Sequence, residues 1–178
     1  MGTLLYSTLR IEEMVRELAG RLNTNLPADS KPVFVILLNG GAFLGVDLVR
    51  NIKIPHEVIF ATVKSLGEIV EIKITGDEEA FITNRHIVVV DEFLDTGYTL
   101  KGAVDVLNNK GALSTTIATL LVRNKKVLEN FQKTSVKDVF YGDILKTKDW
   151  LYGYGLDHPN SITGDDYRSL MEIRSINK

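Results

Sequence analysis

Residues 87–100 read IVVVDEFLDTGYTL and carry the strongest structural signal in the chain. The apolar, β-branched run at 87–90 predicts a strand that is buried on both faces, as in parallel sheets. Asp91 and Glu92 follow this run, and a loop of small and hydroxylated residues at 95–99 then opens a helix. This order is typical of α/β sheets, which bind ligands beyond the carboxyl ends of their strands.

The rest of the chain alternates between strand and helix patterns. Further strands are predicted at 33–38, 57–63, 115–122, 139–145 and 150–154, and helices at 9–23, 42–50 and 99–110. This alternation predicts an α/β fold with a mostly parallel central sheet flanked by helices. We expect one domain over residues 1–178, with a mobile loop at about 65–84, where the sequence is polar and has few apolar anchors.

Composition excludes several classes of protein. The 178 residues include 21 basic and 23 acidic side chains, and this net charge of −2 argues against a nucleic-acid partner. The absence of cysteine excludes disulfides, thiolate zinc sites and cysteine nucleophiles, and it fits a reducing, cytoplasmic location. No apolar run is long enough to cross a membrane, and no secretory signal is apparent, so we expect no membrane partner.

The loop at 95–99 has the composition of an anion site. Free backbone N–H groups and the positive end of the helix dipole suit a phosphate. The adjacent carboxylates of Asp91 and Glu92 suit the vicinal hydroxyls of a ribose, or a magnesium ion. Asp95 stands where an acid or base can act. A capped helix after a core strand explains any one of these residues, but the whole fourteen-residue arrangement favours a site.

This stretch resembles the signature of type I phosphoribosyltransferases, which is an apolar strand, two acids, two apolar residues and then Asp-Thr-Gly-x-Thr. The closest resemblance is to the hypoxanthine–guanine phosphoribosyltransferases, although Asp91-Glu92 reverses the usual order of the two acids. Further segments match in the same order, so the resemblance spans residues 33–168. It implies the fold of that family, including a small hood built from the N- and C-terminal segments.

The resemblance implies how phosphoribosyl pyrophosphate is bound. Asp91 and Glu92 hold the ribose hydroxyls and, together with Asp157, the cofactor Mg²⁺. The 5′-phosphate is held by Asp95, Thr96, Gly97, Tyr98 and Thr99. The segment Leu38-Asn39-Gly40-Gly41 resembles the family's pyrophosphate loop, in which the first peptide bond is cis and the second residue is usually lysine. Pyrophosphate is bound by Leu38, Asn39, Gly40 and Arg168.

The resemblance also implies a purine pocket and a flap. Residues 149–157, DWLYGYGLD, resemble the family's KFVVGYGLD, so that Trp150 stacks on the purine, Leu151 supplies backbone groups to its edge, and Asp157 lies beside it. An aromatic core strand is the alternative interpretation of this segment. Arg123 replaces a lysine that donates to the 6-oxo group. Ser65 and Leu66 resemble the start of the family's mobile loop, where tyrosine usually follows the serine.

The implied reaction belongs to purine salvage. The 5-phosphoribosyl group moves from phosphoribosyl pyrophosphate to a 6-oxopurine, hypoxanthine or guanine, giving the nucleoside 5′-monophosphate and pyrophosphate. Asp95 is the catalytic candidate, which takes the proton from purine N7. The resemblance further implies a homodimer or homotetramer. Two alternatives stay open, a xanthine-preferring phosphoribosyltransferase and a non-catalytic, nucleotide-sensing regulator on the same fold.

Overall fold

A computed structural model describes residues 2–66, 69–160 and 167–177 as nine strands and five helices. In chain order the elements are β1 (Thr3–Tyr6), α1 (Thr8–Asn25), β2 (Val33–Leu38), α2 (Ala42–Val49), β3 (Glu57–Leu66), β4 (Ile69–Ile74), α3 (Glu78–Ile82), β5 (His86–Leu94), α4 (Tyr98–Asn109), β6 (Ser114–Val122), α5 (Lys125–Phe131), β7 (Val139–Ile144), β8 (Trp150–Tyr152) and β9 (Ile173–Ile176).

Six of the strands form the central sheet, in the order β4-β3-β2-β5-β6-β7. Four of the five neighbouring pairs are parallel, and only β4 runs antiparallel to its neighbour β3. The predicted α/β class and mostly parallel sheet are therefore confirmed. Because β2, β5 and β6 run in the same direction, the loops that follow them meet at one edge of the sheet.

The central strands separate two apolar layers. On β5, Val88 and Val90 face the layer that contains α1 and α2, while Ile87 and Val89 face the layer that contains α4. All four side chains are buried, as the unbroken apolar run predicts. Ser7 caps α1 by accepting a hydrogen bond from the backbone N–H of Arg10 at 3.3 Å.

The remaining strands form a three-stranded antiparallel sheet in the order β1-β9-β8. This sheet joins the two ends of the chain, so the expected hood of N- and C-terminal segments is present. The backbone N–H of Gly2 donates to the hydroxyl of Tyr152 at 3.0 Å, and Arg174 donates to the carbonyl of Gly2 at 3.0 Å.

The prediction of a loop over residues 65–84 was wrong for most of that segment. β3 continues to Leu66, β4 returns antiparallel to it, and α3 follows. Val70, Ile72 and Ile74 alternate along β4, and this short period-two signal is the one that indicates a strand. Residues 67–68 lie outside the described part, and the mobility of the segment stays a prediction.

Other boundaries also differ from the predictions. β5 runs to Leu94, so that Asp91 and Glu92 belong to the strand instead of following it. The strand predicted at 150–154 ends at Tyr152, because Gly153 and Tyr154 have positive φ angles of 95° and 47°. Among the described residues, no helix is both long and apolar enough to cross a membrane.

Candidate active site

The loop after β2 begins with a cis peptide bond between Leu38 and Asn39, as the resemblance implies. Residues 39–41 then turn directly into α2. Gly45 of α2 packs on Ile36 of β2 so closely that a Cβ atom there would lie 2.6 Å from the isoleucine side chain. The loop is therefore held between a buried strand and a closely packed helix.

Two glycines bring this loop, the acid pair and the GYGLD segment into contact. A Cβ atom on Gly40 would lie 2.0 Å from Glu92 Oε1, so the carboxylate occupies the space that any other residue would fill. A Cβ atom on Gly155 would lie 2.2 Å from the carbonyl oxygen of Gly40. Gly155 also has a φ of 96°, which favours glycine on its own. Three motifs that are distant in sequence thus converge on one point.

The two acids of β5 lie in a poorly solvated environment. Burial raises the pKa of the Asp91 carboxyl well above its usual value of 3.8, and the neighbouring Glu92 carboxylate raises that pKa further. Glu92 Oε2 is buried without a hydrogen-bond partner in the described part of the chain. Burying a carboxylate oxygen without a hydrogen-bond donor costs free energy of folding. A cation or a hydroxyl group of a ligand would supply the missing partner.

These carboxylates fit a magnesium ion that completes its shell with water and substrate oxygens. Magnesium is usually bound through one or two carboxylates together with substrate phosphates. Asp91, Glu92 and Asp157 do not form one preformed cage, since no group of three metal-ligating side chains occurs among the described residues. Asp157 instead lies 3.5 Å from Arg168, measured between Oδ2 and Nη2.

The loop between β5 and α4 forms a small cradle. It encloses a cavity of about 140 Å³ lined by Asp91, Phe93, Asp95, Thr96, Gly97, Thr99 and Leu100. Gly97 caps α4 in the left-handed conformation, with φ at 86°, so that the chain turns sharply into the helix. Backbone N–H groups of the first turn of α4 are the donors that an anion needs here, and that of Tyr98 is also within 3.5 Å of Thr96 Oγ1.

Arg123, the residue directly after β6, holds Asp95. Its Nε lies 2.6 Å from Asp95 Oδ1, and its Nη1 donates to the carbonyl of Asp149 at 3.0 Å. Its guanidinium carbon stands 4.7 Å from the centroid of the Phe93 ring, which is a cation–π distance. The Arg123 side chain is 16% exposed, whereas that of Asp95 is 47% exposed, so the carboxylate remains accessible.

Arg168 is bonded to the GYGLD segment. Its Nη1 donates to the carbonyl of Gly155, and the N–H of Gly155 donates back to the carbonyl of Arg168 at 2.9 Å. Directly before Gly155, the hydroxyl of Tyr154 donates to Asp47 of α2 at 2.7 Å. The turn and the arginine segment are therefore fixed together beside the loop after β2.

Trp150 departs from the interpretation of an aromatic core strand. Its side chain is 46% exposed, whereas Leu151, Tyr152 and Tyr154 are buried. The two tyrosines thus serve the core, whereas the tryptophan side chain is partly exposed. Ser65 and Leu66 are the last residues of β3, and their side chains lie outside the described part.

Three supporting contacts were not predicted from the sequence. They are the ring of Phe93 beneath Arg123, the carbonyl of Asp149 that accepts from Arg123, and Asp47 that holds Tyr154. Phe93 lies inside the decisive motif and was a possible candidate. A backbone carbonyl has no residue-type signal, and Asp47 looks like an ordinary helix-surface acid.

The fold and this edge of the sheet define a phosphoribosyl transferase domain. The family model of that description matches residues 3–158, and the chain belongs to this family. Among curated relatives, hypoxanthine phosphoribosyltransferase of Haemophilus influenzae is 32% identical over 130 residues, which are 71% of this chain and 69% of that protein. The resemblance drawn from the motifs is thus confirmed, and with it the prediction of a phosphoribosyltransferase, a glycosyltransferase in type.

Further relatives extend the similarity over nearly the whole chain. Hypoxanthine-guanine-xanthine phosphoribosyltransferase of Tritrichomonas foetus is 27% identical, over 95% of this chain and 88% of that protein. A crystal structure of hypoxanthine phosphoribosyltransferase from Staphylococcus aureus is 26% identical and superposes with a TM-score of 0.79, covering 98% of this chain and 92% of its own.

Proposed function

We propose that this protein transfers the 5-phosphoribosyl group from phosphoribosyl pyrophosphate to a 6-oxopurine, hypoxanthine or guanine, in purine salvage. The observation that carries the proposal is the convergence of Gly40, Glu92 and Gly155 at the edge that also carries the cradle of α4. The names of the relatives, all of which are purine phosphoribosyltransferases, support the same substrate class.

We assign the two phosphate groups of the substrate to two loops. The cradle at 95–99 takes the 5′-phosphate through backbone N–H groups and the hydroxyls of Thr96 and Thr99. Pyrophosphate takes the amides after the cis bond, at Asn39 and Gly40, and the side chain of Arg168. Since these groups are fixed before the substrate arrives, leaving-group charge is stabilised without rearrangement of the protein.

The ribose lies between these loops, above Asp91 and Glu92. Its vicinal hydroxyls donate to these carboxylates and thereby supply a partner for the buried Glu92 Oε2. Magnesium, when bound, neutralises negative charge that develops on pyrophosphate as the bond to the anomeric carbon breaks. We assign Asp91, Glu92 and Asp157 to this ion together with substrate oxygens.

The purine is held on the other side of the ribose. Trp150 offers an exposed face for stacking, and Leu151 offers backbone groups to the edge of the base, with Asp157 nearby. Arg123 donates to the 6-oxo oxygen, which distinguishes a 6-oxopurine from a 6-aminopurine. Asp95 accepts the proton from N7 while N9 forms its bond to the anomeric carbon.

Several finer points belong to the same proposal. The hairpin of β3 and β4, which carries Ser65 and Leu66, excludes water during the reaction. The enzyme uses Mg²⁺, works in the cytoplasm and forms a homodimer or homotetramer. Replacement of Mg²⁺ by EDTA in the activity assay tests the use of the metal. Light scattering measures the oligomeric state directly.

The decisive experiment is a base panel. Purified protein is incubated with phosphoribosyl pyrophosphate, Mg²⁺ and hypoxanthine, guanine, xanthine or adenine in turn, and both pyrophosphate and nucleotide are measured. We expect turnover with hypoxanthine and guanine, none with adenine, and loss of turnover when EDTA replaces Mg²⁺. A rate that is highest with xanthine supports the first alternative, and the name of the Tritrichomonas relative includes xanthine beside hypoxanthine and guanine.

The second alternative has a different signature. A nucleotide-sensing regulator binds nucleoside monophosphates but releases no pyrophosphate with any base. The single tryptophan of the chain reports binding directly, because Trp150 is the residue proposed to stack on the purine. Quenching of its fluorescence by a nucleotide, without pyrophosphate release in the panel, contradicts the enzymatic proposal.

A further inference from the structure

We propose that Arg123 is a positioning residue for Asp95, in addition to being a contact for the base. This inference rests on the proposed function and goes beyond it. Residue 123 of this chain is an arginine, whose planar fork of donors bonds in several directions at once. The contacts of Arg123 show what that fork is used for.

Three separate contacts hold the guanidinium of Arg123. Nε bonds Asp95 Oδ1 at 2.6 Å, Nη1 bonds the carbonyl of Asp149 at 3.0 Å, and the group lies 4.7 Å from the ring centre of Phe93. The backbone N–H of Arg123 also donates to the carbonyl of Leu94 at 2.9 Å. A side chain held at this many points is fixed in both position and plane.

In the Asp95–Arg123 pair, some polar atoms are bonded within the protein and others are not. Asp95 Oδ1 is committed to Arg123, while Oδ2 accepts no hydrogen bond from any residue that the structure describes. Arg123 Nη2 is likewise without a partner in the described part of the chain. One carboxylate oxygen and one guanidinium nitrogen of this fixed pair, which we call the frame, therefore remain for the ligand.

This frame matches two neighbouring atoms of a 6-oxopurine. O6 accepts and N7–H donates, so Nη2 serves the first and Asp95 Oδ2 serves the second. The proton on N7 moves to Oδ2 as N9 bonds the anomeric carbon and pyrophosphate departs with the electrons of the broken bond. Because Oδ1 is held by Arg123, the carboxylate cannot rotate away, and Oδ2 is kept within reach of N7.

A lysine at position 123 can keep the contact with the base while losing the positioning of Asp95. A single ammonium nitrogen retains a positive donor for O6 but cannot also bond Asp95 and Asp149 in the arginine geometry. We therefore expect Arg123→Lys to lower kcat about tenfold, with the KM values for phosphoribosyl pyrophosphate and hypoxanthine within about threefold of wild type. In an Asp95→Asn background the same change is expected to alter kcat by less than about twofold, since the positioned carboxylate is already absent.

Arg85→Lys is the matched control. Arg85 also bonds one carboxylate, that of Glu57 at 2.7 Å, and it donates to two backbone carbonyls, those of Lys31 at 2.8 Å and Ala80 at 3.2 Å. Its side chain is similarly covered. It stands just before β5, at the end of the sheet opposite the site. We expect both variants to lose similar thermal stability, with Arg85→Lys keeping the wild-type kcat.

The outcomes separate the two proposals. Equal losses of kcat on Arg123→Lys in the wild-type and Asp95→Asn backgrounds would overturn the positioning role and leave Arg123 as a base contact only. An unchanged kcat in the single variant would overturn it as well. If Arg123→Lys does not fold, Arg123→Gln is measured in its place with the same cycle. A wild-type protein that releases no pyrophosphate would instead sink the proposed function itself.

Discussion

Gly40 and Glu92 are in contact, although one lies in the loop after β2 and the other on β5. A Cβ atom on Gly40 would lie 2.0 Å from Glu92 Oε1 and 2.3 Å from Oε2. The contact joins this loop to the acid pair of β5, where Glu92 Oε2 is buried without a hydrogen-bond partner in the described chain. The absence of a side chain on Gly40 is thus a requirement of the site.

Gly40→Ala is expected to abolish most of the activity. The added methyl group must displace the Glu92 carboxylate or the loop, and misplacement of this kind costs about 100-fold in rate. The global fold is expected to survive, because the contact lies at the edge of the sheet and not in its core. The measurement is kcat/KM for phosphoribosyl pyrophosphate together with a thermal melt.

Gly20→Ala is the control for that prediction. Gly20 lies in α1, where a Cβ atom would point into open space, with nothing from the described parts of the chain packed within 4 Å of it. We expect activity to be unchanged and the free energy of unfolding to rise by up to about 1 kcal/mol, the helix-propensity difference. A Gly40→Ala enzyme that is as active as Gly20→Ala would refute the role given to the contact.

Asp95→Asn is expected to lower kcat by about 100-fold or more, which is the usual contribution of a general base. The amide cannot take the N7 proton, but it leaves the phosphate cradle intact, so the affinity for nucleotide is expected to change little. Steady-state kinetics with hypoxanthine, and titration with the product nucleotide, measure the two quantities separately.

Asp105→Asn serves as the reference for that variant. Asp105 lies on the surface of α4, where it pairs with Lys101 at 2.5 Å. Such exposed pairs contribute at most about 1 kcal/mol to stability, and this one is remote from the chemistry. Turnover by Asp95→Asn near the level of Asp105→Asn would show that Asp95 is not the base.

Asp91→Asn is expected to increase stability in a pH-dependent way. Since burial and Glu92 raise the folded-state pKa of Asp91 above its usual 3.8, the folded chain keeps a proton that the unfolded chain loses. The free energy of unfolding therefore falls as the pH rises above about 3.8 towards the folded-state pKa, by about 1.4 kcal/mol for each unit by which the pKa is raised. Because asparagine does not titrate, the free energy of unfolding of the variant does not show this decline.

The measurement is urea unfolding of wild type and Asp91→Asn between about pH 4 and pH 8, a range that starts near the unfolded-state pKa. The stability advantage of the variant should grow with pH and then level off once the folded-state pKa has been passed. Asp29→Asn, which removes one carboxylate from an exposed loop, is the control for the change in net charge. An Asp91→Asn advantage that is equal at all pH values would contradict the assignment.

Gly102→Ala is expected to destabilise the protein through the β3–β4 hairpin. A Cβ atom on this α4 glycine would lie 2.3 Å from Val70 Cγ2 and 2.5 Å from Val70 Cβ. Overpacking of this kind costs about 1–3 kcal/mol, which outweighs the helix propensity that alanine adds. Val70→Ala in the same chain should restore part of the loss, as measured by urea unfolding and by proteolysis of the hairpin. A single variant more stable than wild type would rule out close packing here.

Local sequence patterns were sufficient to predict those strands and helices whose characteristic residues all lie within one segment. The apolar run at 33–38 predicts β2 with its observed bounds, because a strand buried on both faces must be apolar throughout. The helix predicted at 99–110 from its turn residues and apolar face is observed one residue earlier, as Tyr98–Asn109. β4 was missed, since its alternation covers only a few residues within a polar stretch and depends on pairing with β3.

Local sequence patterns were enough to identify the fold class and the family, because strand burial, helix capping and loop composition depend on neighbouring residues. Three long-range contacts could be seen only in the folded chain: Glu92 fills the space beside Gly40, Arg123 holds Asp95, and the two ends of the chain pair in one sheet. These contacts join residues that are far apart along the chain. Their geometry follows from how the strands and helices pack, and no local pattern encodes it.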